Sequence, residues 1–452
     1  MQPNLLPARW KPLRYHPKQA AAFTSSARFI VVEAGRRSGK SELAKRKGVQ
    51  LALTHHERSA FNDGLYIFAA PTREQVKSIY WGDLKRMVPN WAVLKIAETD
   101  LAIELVNGAR IQCAGMDKPQ RIEGKPIDWI ACDEMQEWKA GIYDRNVRPA
   151  LETPERAGGA WFYGVPRPGA EFEKLVKLAK SGKPDWAYFT WTSEGLMTSE
   201  AVDSARETMD ARVFRQEFMA ERVAMQGRAY HTFDREVHGR EQLAYSRSAP
   251  LCICFDFNVE PGIAVISQQQ LFRRSAGERA DRPEVADEII AVVGEVWIPH
   301  DSRTEHVCRK ILADWGHHEG HVLAYGDATG GSRHTSQGAE GTDWHIIRSM
   351  LTEGFRGPVE VLHHRRNPPE RDRVNALCSR LRSADGRVHL LVSSDCPNML
   401  DDLDGTMLLE GGAGEIDKAK DRRRTHMTDA LGYMVEYEHP VRLVSVTDSE
   451  IV

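Results

Sequence analysis

The sequence of 452 residues has few of the features that mark exported, membrane-bound or disulfide-stabilised proteins. No apolar run approaches the roughly 20 residues that a membrane-spanning helix needs. The opening residues lack the apolar centre of a signal peptide, so we expect that the protein is not exported. The seven cysteines are odd in number and include no CxxC pair, which disfavours a disulfide framework and a structural zinc site.

The sequence also lacks a net positive charge. With 61 Lys and Arg against 64 Asp and Glu, the net charge of −3 argues against a protein that coats DNA through its overall charge. Residues 1–50 nevertheless contain eleven Lys and Arg against two Glu. A basic segment of this kind can contact phosphate or nucleic acid, or it can be a solvated surface, and charge alone leaves both interpretations open.

Strand-like and helix-like patterns alternate over the first 220 residues or so. Apolar runs such as 29–33 and 129–132 are typical of buried strands. This alternation predicts an α/β fold with a mostly parallel sheet covered by helices. A second series of apolar strands begins at residue 251 and ends with a predicted helix over 426–438. The predicted division is a first domain over 1–223, a linker over 224–248 and a second domain over 249–452.

A phosphate-binding motif follows the first strand. Residues 34–41 read AGRRSGKS, which fits the P-loop pattern GxxxxGK[ST] except that Ala34 replaces the first glycine. In such a loop, backbone N–H groups and a helix N-terminus hold the phosphates of ATP, while Lys40 reaches the β- and γ-phosphates and Ser41 holds Mg²⁺. The alternative is a chance match in a loop. The predicted nucleotide-binding residues are Gly35, Arg36, Arg37, Ser38, Gly39, Lys40 and Ser41.

An acidic pair ends a later apolar strand. Residues 128–134 read DWIACDE, so that Asp133 and Glu134 follow a buried strand. A P-loop ATPase needs one carboxylate for the Mg²⁺ shell and one group that activates the attacking water. We assign Asp133 to the metal and Glu134 to the catalytic base. An acidic pair in this position can also be a plain helix N-cap.

With these motifs in this order, the sequence resembles the large terminase subunits of tailed bacteriophages, the ATPases that package viral DNA. P-loops of that family often lack the first glycine and carry an arginine, as Ala34 and Arg36 do here. The resemblance implies that Arg36 is an arginine finger acting in cis on the γ-phosphate, with Arg37 less favoured. It also implies that Gln19 contacts adenine and that residues 163–168 form a motif that couples hydrolysis to DNA movement.

The second half contains three aspartates in similar positions. Asp256 and Asp327 end apolar strands, and Asp429 lies on the last predicted helix. A carboxylate at the end of a buried strand is costly unless it is paired or bound to a metal. Three converging carboxylates could bind two Mg²⁺ or Mn²⁺ ions and cleave a phosphodiester, although each aspartate alone could be a cap or turn residue. His426, one helical turn before Asp429, could adjoin the metals or be solvated.

These three aspartates resemble the acidic set of the RNase H-like nuclease domain of large terminases. The resemblance therefore implies a P-loop ATPase domain of the ASCE type followed by an RNase H-like α/β nuclease domain. Its implied function is ATP-driven translocation of double-stranded DNA into a procapsid and metal-dependent cutting of concatemeric DNA. The implied partners are double-stranded DNA, a portal protein, a small terminase subunit and further copies of the chain in a ring. The implied location is the host cytoplasm, and no membrane is an implied partner.

Two other interpretations share some of these motifs. A cellular helicase or repair ATPase fused to a nuclease would also have the P-loop and the acidic residues, but it would need further helicase motifs with base-stacking aromatics. A non-catalytic assembly protein with a degenerate P-loop is the other alternative. The intact Lys40, Ser41, Asp133 and Glu134 argue against it.

Overall fold

The computed structural model describes most of the chain. The described ranges are 16–55, 63–154, 156–167, 170–223, 227–241, 243–257, 260–272, 283–331, 342–409, 415–418 and 424–441. The chain divides into two compact units, one within Met1–Val202 and Arg215–Ala224, the other within Asp203–Phe214 and Met225–Val452. The predicted α/β class is confirmed in both.

The first unit is built on a mixed sheet. Neighbouring strands pair in parallel from β10 to β5 in the order β10-β1-β9-β6-β2-β5, and β4 and β3 extend the sheet in antiparallel fashion. Every residue of β1, β2 and β6 is buried, as expected for parallel strands that are covered on both faces. The strands are β1 (Phe29–Ala34), β2 (Leu65–Ala70), β3 (Val93–Ala97), β4 (Ala102–Leu105), β5 (Arg110–Gly115), β6 (Trp129–Cys132), the short pair β7 (Glu152–Thr153) and β8 (Arg156–Ala157), β9 (Gly159–Gly164) and β10 (Trp186–Trp191).

Helices precede, connect and follow these strands, and the part of the last two helices that lies within Asp203–Phe214 belongs to the second unit. Those up to residue 217 are α1 (Pro17–Thr24), α2 (Lys40–Leu53), α3 (Arg73–Val76), α4 (Gly82–Met87), α5 (Arg148–Ala150), α6 (Ala170–Lys180), α7 (Ser199–Thr208) and α8 (Ala211–Glu217). A π-helical turn, Lys77–Trp81, joins α3 to α4, so this stretch consists of three consecutive helical segments. Thr72 begins this run with a capping box to Gln75.

The second unit contains another mixed sheet. Its order is β11-β17-β14-β13-β12-β15-β16, in which β12, β13 and β14 form an antiparallel meander while β15 and β16 continue in parallel from β12. The carboxyl ends of β12, β15 and β16 therefore meet at one edge. The strands are β11 (Gly239–Arg240), β12 (Leu251–Asp256), β13 (Gly262–Leu271), β14 (Val285–Ile298), β15 (Val322–Gly326), β16 (Val359–Leu362) and β17 (Val388–Ser393).

Helices cover both faces of the second sheet. Alternate residues of β12 point to opposite sides: Cys252 and Cys254 pack with the helices α12 and α14, and Ile253 and Phe255 pack with α10 and α11. The last helix begins and ends as the sequence predicts. The helices are α9 (Arg235–His238), α10 (Thr304–Trp315), α11 (Asp343–Gly354), α12 (Glu370–Leu381), α13 (Pro397–Gly405) and α14 (His426–Glu438).

The stretch 224–248, predicted as a linker, contains ordered elements in its described part. It includes α9 and β11, and β11 pairs in parallel with β17 of the second sheet. The linker assignment stays a prediction. None of the described helices combines the length and the apolar character that crossing a bilayer requires.

Candidate active sites

The first candidate site is the loop between β1 and α2. Lys40 Nζ donates to the carbonyl oxygens of Ala34 and Gly35, at 2.8 Å in each case. Ala34 is the last residue of β1 and pairs in parallel with Trp191, so an ordinary strand residue fits where the motif usually has glycine. At Gly35, by contrast, no side chain fits, because a Cβ there would lie 2.3 Å from Ser193 Oγ.

The loop places a dehydrated positive charge where phosphates would lie. Lys40 is only 7% exposed, and burial lowers the pKa of its ammonium even though the charges of Glu134 and Asp133 oppose that shift. Gly39 adopts a left-handed conformation with φ 80° just before α2. Gln19, the predicted adenine contact, is buried against the same loop and donates from Nε2 to the Ser38 carbonyl at 2.7 Å.

Two hydroxyl groups meet the buried carboxylate at the end of β6. Ser41 Oγ donates to Asp133 Oδ2 at 2.8 Å, and Tyr80 Oη donates to the same oxygen at 2.6 Å. Burial, and then the charge of Glu134, raise the pKa of Asp133. A serine hydroxyl beside a carboxylate is the hard oxygen set that Mg²⁺ prefers, so these residues fit the predicted metal. Tyr80, which lies on the π-helical turn, is not among the site residues predicted from the sequence.

Glu134 adopts a strained backbone conformation. Its φ of 48° and ψ of 44° lie in the left-handed region, which a non-glycine residue adopts at a cost and which is common at functional sites. Its backbone N–H donates to Asp133 Oδ1 at 3.0 Å, and Gln136 Nε2 donates to Glu134 Oε2.

Arg36 is held in a buried ion-pair network. Its Nε donates to Glu217, which also accepts from Arg167 Nη2 at 3.0 Å, and Arg167 in turn pairs with Glu137. Burial by itself raises the pKa of Glu217, but the two guanidinium groups outweigh burial and lower that pKa to about 2. Arg167 lies in the segment predicted to couple hydrolysis to movement. Residue 168 of that segment is outside the described residues. Arg37, the residue after Arg36, has a left-handed backbone conformation with φ 55°.

The second candidate site lies at the carboxyl edge of the second sheet. Asp256, at the end of β12, has Oδ2 3.1 Å from His426 Nδ1. Asp327, just after β15, accepts from Asn367 Nδ2 at 2.7 Å and from Tyr433 Oη at 3.2 Å. Burial by itself raises the pKa of Asp327, but the Thr329 backbone and Asn367 donors outweigh burial and lower it.

Asp429 has different partners. Arg373 Nη1 donates to Asp429 Oδ1 at 2.6 Å, and Lys418 Nζ lies 3.4 Å from Asp429 Oδ2. Within the described residues, no group of three or more His, Cys, Asp or Glu side chains could hold a metal ion. The three predicted metal ligands therefore do not form a metal site among the described residues. At Asp429, the side chains of Arg373 and Lys418 make the contacts that metal ions would otherwise make.

One helix nevertheless links all three aspartates. His426, Asp429 and Tyr433 follow at spacings of three and four residues on α14, so they share a face. The start of this helix is fixed by Asp402 of α13, whose Oδ2 accepts from the Met427 backbone N–H at 2.9 Å. Burial raises the pKa of Asp402 to about 7. Asp402, Arg373 and Tyr433 are not among the site residues predicted from the sequence.

Together the geometry defines one α/β unit with a P-loop and a second α/β unit with a carboxylate-lined edge. No family model matches the sequence. Over 221 residues the chain is 23% identical to the large terminase subunit of Escherichia phage T5, and this match covers 47% of the present chain and 48% of that protein. The chain thus aligns with about half the length of this curated relative.

Solved structures match over a longer stretch. The large terminase of a thermophilic bacteriophage superposes with a TM-score of 0.62 at 14% identity, over 94% of this chain and 99% of that chain. The same protein in complex with ATP-γ-S superposes with a TM-score of 0.61. The resemblance to phage large terminases is confirmed, and the chain has their fold across both units.

Proposed function

We propose that the chain is the large terminase subunit of a tailed bacteriophage and drives double-stranded DNA into a procapsid with energy from ATP. The observation that carries this proposal is the hydrogen bond between Ser41 and Asp133, next to the buried Lys40, in a chain with the fold of a large terminase. The T5 relative is a large terminase subunit, and the large terminase of the thermophilic phage binds ATP-γ-S, which supports ATP as the nucleotide.

In this proposal each residue of the first site has one task during hydrolysis. Lys40 exchanges the Ala34 and Gly35 carbonyls for phosphate oxygens and supplies positive charge. Ser41 and Asp133 would hold Mg²⁺, which neutralises phosphate charge when bound. Glu134 accepts a proton from the attacking water.

Arg36 has to leave Glu217 before it can act on the γ-phosphate. Both partners are buried or half-buried, so the guanidinium exchanges one anionic partner for another rather than entering water. Arg167, which also binds Glu217, lies in the proposed coupling segment. Gly164 of the same segment packs against Gln136, the side chain that donates to Glu134. These contacts support a role for residues 163–168 in sensing hydrolysis.

We further propose that the carboxylate edge of the second unit cuts concatemeric DNA. Asp256 ends β12 and Asp327 follows β15, the neighbouring parallel strand, so both carboxylates lie at the same sheet edge. Asp429 can join them only after its carboxylate leaves Arg373 and Lys418. A portal protein, a small terminase subunit, a ring of identical chains and the host cytoplasm as location belong to this proposal through the family resemblance alone.

One assay separates this proposal from its two rivals. ATP hydrolysis by the wild type and by Lys40→Ala should be measured without DNA, with duplex DNA and with single-stranded DNA. The proposal predicts hydrolysis that depends on Lys40 and is stimulated by duplex DNA. Stimulation by single strands alone would favour a helicase, and a wild type without hydrolysis would favour a non-catalytic assembly protein.

A further inference from the structure

A short loop beside the carboxylate edge carries two exposed arginines. Residues 363–366, here called the basic loop, connect β16 to the turn before α12 and read HHRR. Arg365 and Arg366 are both exposed. Within the part of the chain that the structure describes, neither makes a hydrogen bond or an ion pair. Their positive charge is therefore available to an external anion.

The basic loop is tied to the carboxylate edge at its end. Asn367, the next residue, donates from Nδ2 to Asp327 Oδ1 at 2.7 Å. The amide oxygen of Asn367 accepts from the Ala328 backbone N–H at 2.8 Å. Arg366 adjoins Asn367 and Arg365 is one residue further, so chain length alone keeps both backbone positions within about 7 Å of it.

The start of the basic loop is fixed by packing. The His363 ring stacks on Trp344 of α11, with ring centroids 5.3 Å apart and planes at 14°. His364 Nε2 lies 2.6 Å from Glu436 Oε2 on α14. The first two residues of the loop therefore each contact another element of the protein, and the two exposed arginines follow directly after them.

A carboxylate edge that cuts DNA needs positive charges close by. Asp256 and Asp327 carry negative charge toward a phosphodiester that is itself anionic, and the chain as a whole is also negative. A guanidinium binds a phosphate with two parallel N–H···O bonds and keeps its charge at every physiological pH. We propose that Arg365 and Arg366 bind the phosphate backbone of duplex DNA next to the site of cutting. This inference rests on the proposed DNA cleavage.

The salt dependence of DNA binding tests the basic loop. Binding of the full chain to a short duplex is measured in EDTA, so that no cleavage occurs, over a fourfold range of salt concentration. The variants are Arg365→Ala/Arg366→Ala and its charge-keeping counterpart Arg365→Lys/Arg366→Lys. The matched control, Arg309→Ala/Lys310→Ala, removes two adjacent exposed charges from α10 of the same unit.

We expect the alanine pair to lower the slope of log affinity against log salt by about 0.9 for each lost phosphate contact, or about 1.8 in total. Over a fourfold change in salt, wild-type affinity should then fall about tenfold more than that of the alanine pair. The lysine pair should restore most of the slope, the α10 control should keep all of it, and two unrelated duplex sequences should behave alike. Thermal unfolding should be unchanged, because both side chains are exposed.

An unchanged slope in the alanine pair would overturn the role of the basic loop. Plasmid cleavage by the wild type and by Asp256→Ala distinguishes that failure from failure of the proposed function. If the wild type cuts, Asp256→Ala does not, and the alanine pair keeps the wild-type slope, only this inference is wrong. If the wild type neither binds nor cuts DNA, the proposed function fails instead.

Discussion

The two candidate sites of this chain are assembled to different degrees. In the first unit, Ser41 and Asp133 already share a hydrogen bond of 2.8 Å, in the arrangement that a bound metal would use. In the second unit, Asp256 and Asp327 lie at one sheet edge, but Asp429 is held by basic side chains. The predicted metal ligands of the first site are therefore already together, whereas in the second site Asp429 must first leave its basic partners.

This difference follows from how each site is encoded. The P-loop is a run of consecutive residues whose own backbone accepts from Lys40, so the motif and the site nearly coincide. The carboxylate edge instead combines β12, β15 and α14, whose side chains respond to packing from distant segments. A local motif thus predicts geometry as well as chemistry, while a dispersed set of acidic residues predicts chemistry alone.

The largest expected effect is loss of ATP hydrolysis on disruption of the first site. Lys40→Ala removes the buried charge and should reduce hydrolysis to background. Glu134→Gln removes the base but keeps the shape, and it should lower kcat about 10²–10⁴-fold while ATP still binds. Steady-state hydrolysis and nucleotide-binding titrations measure both effects. Lys18→Ala, an exposed lysine on α1, is the control, and normal turnover in Glu134→Gln would exclude it as the base.

Arg36→Gln should lower kcat by about 10³-fold and change ATP affinity little, since a finger acts on charge that develops in the transition state. Arg37→Gln, in the same loop, is the comparison variant and should lose less of kcat, since Arg37 is assigned to nucleotide binding and not to the finger. Separate determination of kcat and nucleotide Kd distinguishes the two roles. Weaker binding with an intact kcat would make Arg36 a binding residue only.

Tyr80→Phe should have a smaller effect. The change removes the hydroxyl that donates to Asp133 and leaves Ser41 as its remaining side-chain donor. The Mg²⁺ concentration for half-maximal hydrolysis should rise about tenfold, as is typical when a group that orients a metal ligand is lost. Tyr66→Phe is the control, because it removes another buried hydroxyl, one that contacts His55 Nδ1 at 3.0 Å. An unchanged Mg²⁺ requirement in Tyr80→Phe would argue against Asp133 as a ligand.

The smallest expected effect concerns the packing that positions α14. The raised pKa of Asp402, about 7 against an ordinary 3.8, means that wild-type stability falls as pH rises from about 4 to 7 and stays reduced above that. Asp402→Asn mimics the protonated form and can still accept from Met427. It should be more stable than the wild type at about pH 8 by about 1–3 kcal/mol and nearly equal at about pH 4. Thermal unfolding at both pH values measures this.

Asp401→Asn is the matched control for that experiment. Asp401 is the exposed neighbour of Asp402 and pairs with Arg235 on the surface, so its loss should have little effect at either pH. Equal stability of wild type and Asp402→Asn at the higher pH would show that Asp402 is ionised at no cost in the folded protein.

Local patterns predicted much of this fold because each element carries its own signal. The run over 129–132 is a fully buried strand, and residues 426–438 form the last helix, both as predicted. Partners across long distances were not predictable in this way. Glu217 is 181 residues from Arg36, and Arg373 is 56 residues from Asp429, so only the folded chain reveals that these charges meet.

The central claim is that one chain holds two separate chemistries, and parallel assays of the same variants test it most directly. ATP hydrolysis and nicking of supercoiled plasmid with Mn²⁺ are measured on Asp256→Ala, Asp327→Ala, Asp429→Ala and Glu134→Gln. We expect the three aspartate variants to hydrolyse ATP near the wild-type rate without nicking, and Glu134→Gln to nick without hydrolysing ATP. Nicking that survives in all three aspartate variants would contradict the account, because these carboxylates would then be only structural.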